Sequence, residues 1–222
     1  MNDDVFDSII NVIEVVSMKL YIVRHGQSMN NSGESRFHNV SLTSLGRKQI
    51  QRTAKALVKE KFDALYCSPL ERALQTAMIL YHKLGIAPYA HPDFSETGFS
   101  GGELDVSRDM MQASYPHAIL DPSITNNGWA PDTETSEEVY ERACRITQWL
   151  IGRHPQPDAQ LIVVSHGHYG SVLIGSLLGL QPNGFTHFSQ YNGCISQVDM
   201  IDSQWRLRFL NRISHLPDRM LT

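Results

Sequence analysis

The chain has 222 residues, of which 41% are hydrophobic and 19% charged, a balance that excludes a disordered polymer and suits a domain with a sizeable core. Nineteen lysines and arginines against 23 aspartates and glutamates leave a formal net charge of −4, which argues against nonspecific nucleic-acid binding. Three cysteines (Cys67, Cys144, Cys194) form no CxxC pair, which excludes a disulfide scaffold and fits a reducing, cytoplasmic compartment.

The most apolar early stretch, Val5 to Val23, is interrupted by Asp7, Asn11 and Glu14 and is not expected to span a membrane. Asp3 and Asp4 stand where a secretory signal would carry basic residues. Val5, Ile9, Val12 and Val16 fall at helical spacing, so residues 1–17 read as an extension ahead of one domain over 18–222. A docked helix, an upstream extension and an oligomer contact all fit it, and a homodimer stays open.

Lys19 to Val23 predicts a strand, and Thr43 to about Lys59 a helix with Ile50, Ala54, Leu57 and Val58 on one face. Ala64 to Cys67 predicts a second strand. A helix is expected to begin at Pro69, with Ala73, Ala77, Leu80 and Leu84 along one side. From about 100 to 131 the glycines, prolines and asparagines predict an irregular insertion with one short helix near Met110, the kind of long loop that covers a site. Val139, Ala143, Ile146 and Leu150 mark another amphipathic helix. Gln160 to Val164 is fully apolar, as in a central parallel strand, and an apolar helix follows through Val172 and Leu178. Strands near Ile195–Met200 and Leu207–Leu210 close the pattern. The expected fold class is α/β, a three-layer α/β/α sandwich with a mainly parallel central sheet and an irregular lid insertion.

Three predicted strands end in polar residues: Arg24-His25-Gly26, Ser68-Pro69-Leu70-Glu71-Arg72 and Ser165-His166-Gly167. Ligands of open parallel sheets bind beyond the carboxyl ends of the strands, so two histidines and two arginines could share one crevice. Arginine forks match phosphoryl oxygens, and Gly26 and Gly167 would let backbone approach closely. A neutral imidazole held among arginines is a competent nucleophile toward phosphorus, and a nearby carboxyl could protonate the departing alcohol.

LYIVRHGQSMNN, SLTSLGRKQ, CSPLERALQTA, TSEEVYERA and IVVSHGHYG resemble, in order, the motifs of the histidine phosphatase superfamily, with its phosphoglycerate-mutase-like fold. The resemblance spans Met18 to about Asp202 and implies a metal-independent phosphoric monoester hydrolase acting on small phosphate esters. It implies His25 as the phosphorylated nucleophile, with Arg24, Arg72 and His166 binding the phosphoryl group and stabilising its charge. It further implies a contact from Asn31, a backbone donor at Gly167, and Glu96 as the acid that protonates the leaving oxygen and then activates water. No metal or other cofactor is implied, and no nucleic-acid or membrane partner.

The chain departs from that pattern after Glu96, where FSGGEL lacks the tryptophan of the usual glycine-tryptophan-glutamate-glycine run and Glu103 holds the glutamate's place. Gln27 and Ser28 replace the common glutamate and threonine, and Thr133-Glu134-Thr135 half keeps a glycine-glutamate-serine run. The interval from Glu96 to His166, 166 − 96 = 70 residues, resembles the compact phosphatase branch rather than a mutase, which tends to carry a longer insertion. Arg108, Met110, Met111, Tyr115 and Trp129 are expected either to line a substrate pocket or to pack. Three alternatives compete with a phosphatase: a mutase-type phosphotransferase, a phospho-ligand binding module of the same fold, and a metal hydrolase using His166 and His168 with Asp105 or Asp109.

Overall fold

The computed structural model describes residues 17–35, 37, 39–98, 107–127, 129, 133–182 and 187–222. The helical pattern of residues 1–16, and Glu103 and Asp105 with their neighbours, lie outside this set.

Among the described residues, seven strands form one sheet: β1 (Met18–Arg24), β2 (Ala64–Cys67), β3 (Pro88–Ala90), β4 (Ile119–Leu120), β5 (Ala159–Ser165), β6 (Ile195–Ile201) and β7 (Gln204–Arg212). Their spatial order is β4-β3-β2-β5-β1-β6-β7. The first five in that order run parallel, and β6 and β7 add an antiparallel hairpin at one edge. β5 lies between β2 and β1, so the two halves of the chain meet at its carboxyl end.

Alternate strand residues serve opposite faces, which makes three layers from one sheet. Tyr21, Val23, Ile162 and Val164 pack with Ile50, Ala54 and Leu57 of α1 (Ser44–Leu57) and Ala73, Ala77 and Leu80 of α2 (Glu71–Leu84). Leu20, Ile22, Leu161 and Val163 pack with Val139, Ala143, Ile146 and Leu150 of α4 (Ser136–Arg153) and Val172, Leu173 and Ile174 of α5 (Gly167–Leu177). The expected sandwich is present, and the sequence-read strands and helices agree with it to within a few residues. α2 begins at Glu71 rather than Pro69, because Leu70 stays extended (φ −63°, ψ 137°) as N-cap while its N–H donates to Ser68 Oγ at 3.2 Å.

The insertion holds the expected short helix, α3 (Arg108–Ser114), and the two-residue β4. Its inward-facing side chains pack or brace. Met111 and Trp129 join the core, and the Tyr115 hydroxyl donates to Glu71 Oε1 at 2.5 Å. Arg108 donates to the carbonyls of Leu120, Asp121 and Ile124 at 2.8–3.1 Å, closing the chain end after β4. Only Met110 of the five expected lining residues is exposed. Among the described residues, no helix is long and apolar enough to cross a membrane.

Candidate active site

β1 ends at Arg24, but pairing continues one residue further: the His25 N–H donates to the Ser165 carbonyl at 3.0 Å. That bond seats the His25 ring beside His166, the residue following β5, with ring centroids 5.1 Å apart. The Gly26 N–H then reaches Thr76 Oγ1 on α2 at 3.2 Å, fixing the loop against the helix whose first turn carries Arg72. Three segments far apart in sequence thus converge at the carboxyl ends of β1, β2 and β5. His25, Arg72 and His166 are all buried there.

Two hydrogen bonds fix the His25 tautomer. The Gly26 carbonyl can only accept, so Nδ1, 2.7 Å away, carries the proton. Arg72 Nε can only donate, and it lies 3.2 Å from His25 Nε2, which therefore presents its lone pair. Burial pushes the His25 pKa well below the usual histidine value, and the Arg72 and Arg24 charges push it further, against the Gly26 hydrogen bond. His166 is depressed by burial first, then by Arg72, His25, Arg24 and Arg142. Arg72 is pulled down to about 10 by burial, with Glu96 opposing and Arg24 assisting, and stays charged at neutral pH.

Among the described residues, Arg24 Nε and both ring nitrogens of His166 are buried without a hydrogen-bond partner. Burying polar groups unpaired costs about 1–3 kcal/mol each, so their clustering marks a place for an external partner. With Arg72 and His25 beside them, the place holds two guanidinium groups and two neutral imidazoles, a set suited to a tetrahedral anion. Among the described residues, no three His, Cys, Asp or Glu side chains gather as metal ligands, and Asp109 instead pairs with Asn126 at 2.8 Å.

The expected acid lies at the same crevice. Glu96 caps α5 from outside the helix: Oε1 accepts from the Tyr169 N–H at 2.8 Å and from the Thr97 N–H at 3.1 Å, and Oε2 accepts from the His168 N–H at 3.3 Å. His166, the N-cap residue, makes no side-chain cap, so the carboxylate takes that role and gains from the helix dipole. Its charge favours the protonated forms of Arg24 and Arg72, which places it within electrostatic reach of both. Asn31 sits at the rim, with Oδ1 accepting from Ser28 N–H (3.1 Å), Ser28 Oγ (3.0 Å) and Asn192 Nδ2 (3.1 Å). His168 is exposed, its Nδ1 2.7 Å from Thr97 Oγ1 and its ring 4.5 Å from that of His187.

The glycines allow close approaches within the fold. A Cβ at Gly26 would come within 2.5 Å of the Gly46 carbonyl oxygen, and one at Gly46 within 2.1 Å of the Gln27 carbonyl oxygen. Their shared role is the close approach of the His25 loop to the first turn of α1. At Gly167 a Cβ would meet the Arg24 Nε at 3.2 Å, so glycine there makes room for a guanidinium.

Several supporting residues escaped the sequence reading. The Gln190 carbonyl accepts from Arg24 Nη1, and Gln190 Nε2 donates to the Gly167 carbonyl at 3.3 Å. Gln49 Oε1 accepts from the Gln27 N–H at 2.7 Å. Arg142, almost fully buried, pairs with Glu134 at 2.6 Å, donates to the Asp93 and Ser95 carbonyls, and lies 4.2 Å above the Tyr169 ring. It thereby holds both the segment leading into Glu96 and the helix turn that Glu96 caps. Each sits among other polar residues (GRKQIQRT, EEVYERACR, THFSQYNG), so the local sequence does not single it out or say what it binds.

A pH dependence follows from the two rings. Both are held neutral in the fold, whereas unfolded histidine titrates near pH 6.5, so below that pH the unfolded chain binds more protons. Stability is expected to fall as pH drops through about 6.5, by up to about 1.4 kcal/mol per pH unit for each ring. Thermal unfolding from pH 7.5 to 5 measures this. A His25→Asn, His166→Asn double variant is expected to have a flatter acid limb; an unchanged limb would assign the slope elsewhere.

The family model described as histidine phosphatase superfamily (branch 1) matches residues 20–213. Adenosylcobalamin/alpha-ribazole phosphatase of Escherichia coli (strain K12) is 30% identical over 201 residues, covering 87% of this chain and 96% of that protein. Phosphoglycerate mutase-like protein 4 of Arabidopsis thaliana is 26% identical, covering 98% of this chain and 94% of that protein. Among solved structures, the alpha-ribazole phosphatase of Shigella flexneri superposes with a TM-score of 0.68 at 28% identity, over 88% of this chain and 96% of that one.

Proposed function

Since the chain belongs to the histidine phosphatase superfamily, we propose that it hydrolyses small phosphate monoesters through a phosphohistidine formed on His25. The observation that carries this is the His25 tautomer: Nδ1–H is committed to the Gly26 carbonyl, so Nε2 keeps its lone pair, which accepts from Arg72 Nε.

Arg24, Arg72, His166, the Asn31 amide and the Gly167 N–H bind the phosphoryl oxygens, and the charged donors offset the negative charge of the transition state. As substrate enters, the Arg72 donor passes from His25 Nε2 to a phosphoryl oxygen and releases the lone pair. The Nε2–P bond forms as the ester P–O bond breaks, and the bonding pair leaves with the alcohol oxygen. Protonated Glu96 gives that oxygen its proton. Positive charge on the imidazole is met by the Gly26 carbonyl at Nδ1. The Glu96 carboxylate, now the base, takes a proton from water whose oxygen bonds to phosphorus as the P–N bond breaks. The His168 and Tyr169 N–H groups hold the Glu96 carboxyl at the start of α5, so the same side chain is in place for both halves.

Hydrolysis rather than return of the phosphoryl group to a second oxygen is supported by the short 70-residue interval between Glu96 and His166. Residues 18–222 are assigned to one catalytic domain with a lid over about 100–131, and residues 1–17 to an appended extension. The substrate is a small molecule, with no nucleic acid or membrane surface required, and a homodimer is compatible with this scheme. Three free cysteines support a cytoplasmic setting.

The test is turnover of p-nitrophenyl phosphate by the full chain with excess chelator. Full activity without metal is expected, with a phosphoenzyme that survives alkali and is lost in acid. Dependence on added metal, or phosphate trapped on a residue other than His25, would overturn the scheme.

A further inference from the structure

We propose that Asn192 is a positioning residue for the phosphoryl site, holding the His25 backbone and the Asn31 side chain in one frame and setting which end of the Asn31 amide faces the phosphoryl group. The inference rests on the roles given above to His25 and Asn31.

Asn192 lies in the turn before β6 and is 1% exposed. Its Nδ2 donates to the His25 carbonyl at 3.0 Å and to Asn31 Oδ1 at 3.1 Å. Its Oδ1 accepts from Thr222 Oγ1 at 3.2 Å, and its backbone N–H donates to the Thr222 carbonyl at 2.9 Å. Both amide donors and the amide acceptor are thus engaged, which leaves this side chain one orientation. The neighbouring Gly193 N–H is shared between the Arg24 and His25 carbonyls at 3.1 and 3.2 Å. The same turn therefore fixes the backbone of both residues that open the site.

The consequence at Asn31 has a sign. A phosphoryl group only accepts hydrogen bonds, so Asn31 helps only if Nδ2 faces it. Three donors hold Oδ1 away from the anion; two belong to Ser28 within the same loop, and Asn192 supplies the third from outside it. In Asn192→Asp the new carboxylate meets two acceptors, the His25 carbonyl and Asn31 Oδ1. The nearest relief is a flip of the Asn31 amide, which turns its oxygen toward the phosphoryl group. Asn192→Ser removes the bridge without adding charge, while the His25 carbonyl keeps Gly193 and Asn31 keeps Ser28.

Orthovanadate inhibition and the separate KM and kcat for p-nitrophenyl phosphate test this in Asn192→Asp, Asn192→Ser, Asn31→Ala and the Asn31→Ala, Asn192→Asp double variant, with thermal unfolding alongside. Asn192→Asp is expected to weaken orthovanadate about tenfold or more and to raise KM more than it lowers kcat. In the Asn31→Ala background the same change is expected to cost less than about twofold, because its target is gone. Should Asn192→Asp fail to fold, Asn192→Ser carries the test with an expected loss of about threefold. The proposal is overturned if orthovanadate affinity and KM stay within twofold of the parent, or if the full loss recurs without Asn31. Failure of the underlying chemistry shows separately, as turnover that survives His25→Ala.

Discussion

His25→Ala is expected to reduce p-nitrophenyl phosphate turnover by at least about 1,000-fold, to the background of the assay, and to abolish phosphoenzyme trapping. The size follows from the covalent step: no other described side chain offers an unprotonated nitrogen held by an arginine at 3.2 Å. Orthovanadate binding is expected to survive in weakened form, because Arg24, Arg72 and His166 remain. His25 is buried and its ring meets His166, so alanine also leaves a cavity, and unfolding must be measured beside activity. A folded His25→Ala protein that still turns over substrate would discard the covalent route.

Glu96→Gln is expected to slow alkyl phosphates about 100-fold or more while slowing p-nitrophenyl phosphate by less than about tenfold. The nitrophenolate leaves without protonation, whereas an alkoxide does not, so the difference isolates proton donation. For p-nitrophenyl phosphate the remaining defect belongs to water attack on the phosphohistidine, and stopped-flow is expected to show a larger burst followed by a slower steady state. The variant also weakens the cap of α5, since a glutamine offers one acceptor oxygen where Glu96 uses two. That cost, of about 1 kcal/mol, is read as a shift in unfolding and does not depend on the leaving group. Equal slowing of both esters would point to another acid.

The convergence of His25, Arg24, Arg72 and His166 was legible because each lies at, or within five residues of, the end of a mostly apolar strand. Short, mostly apolar runs of four to seven residues are visible as strands, and in a parallel sheet the residues at their carboxyl ends have few other places to be. β3 and β4 were not legible: three residues and two residues carry no period, and they are strands only because β2 offers an open edge. The insertion was recognised as irregular, but the work of Arg108 was not, because its three carbonyl partners exist only once Leu120–Ile124 has folded beside it. Arg142, Gln190 and Asn192 share that property. Each binds backbone or side chains contributed by remote segments, and no local spacing encodes such a partner. Glu96 lies between: the motif indicated its chemistry, while its place as the cap of α5 came from the packing of Phe94, whose carbonyl takes the Ser165 hydroxyl at 3.0 Å.

The bare faces of Gly26 and Gly46 tie two distant positions together. A methyl group on either would wedge the start of α1 away from the loop that carries His25, and Thr43 and Gln49, both bonded to Gln27, would move with it. A side chain at position 46, some twenty residues from His25 in sequence, therefore displaces the loop that carries it, and a library that randomises only the residues touching substrate would leave this position out.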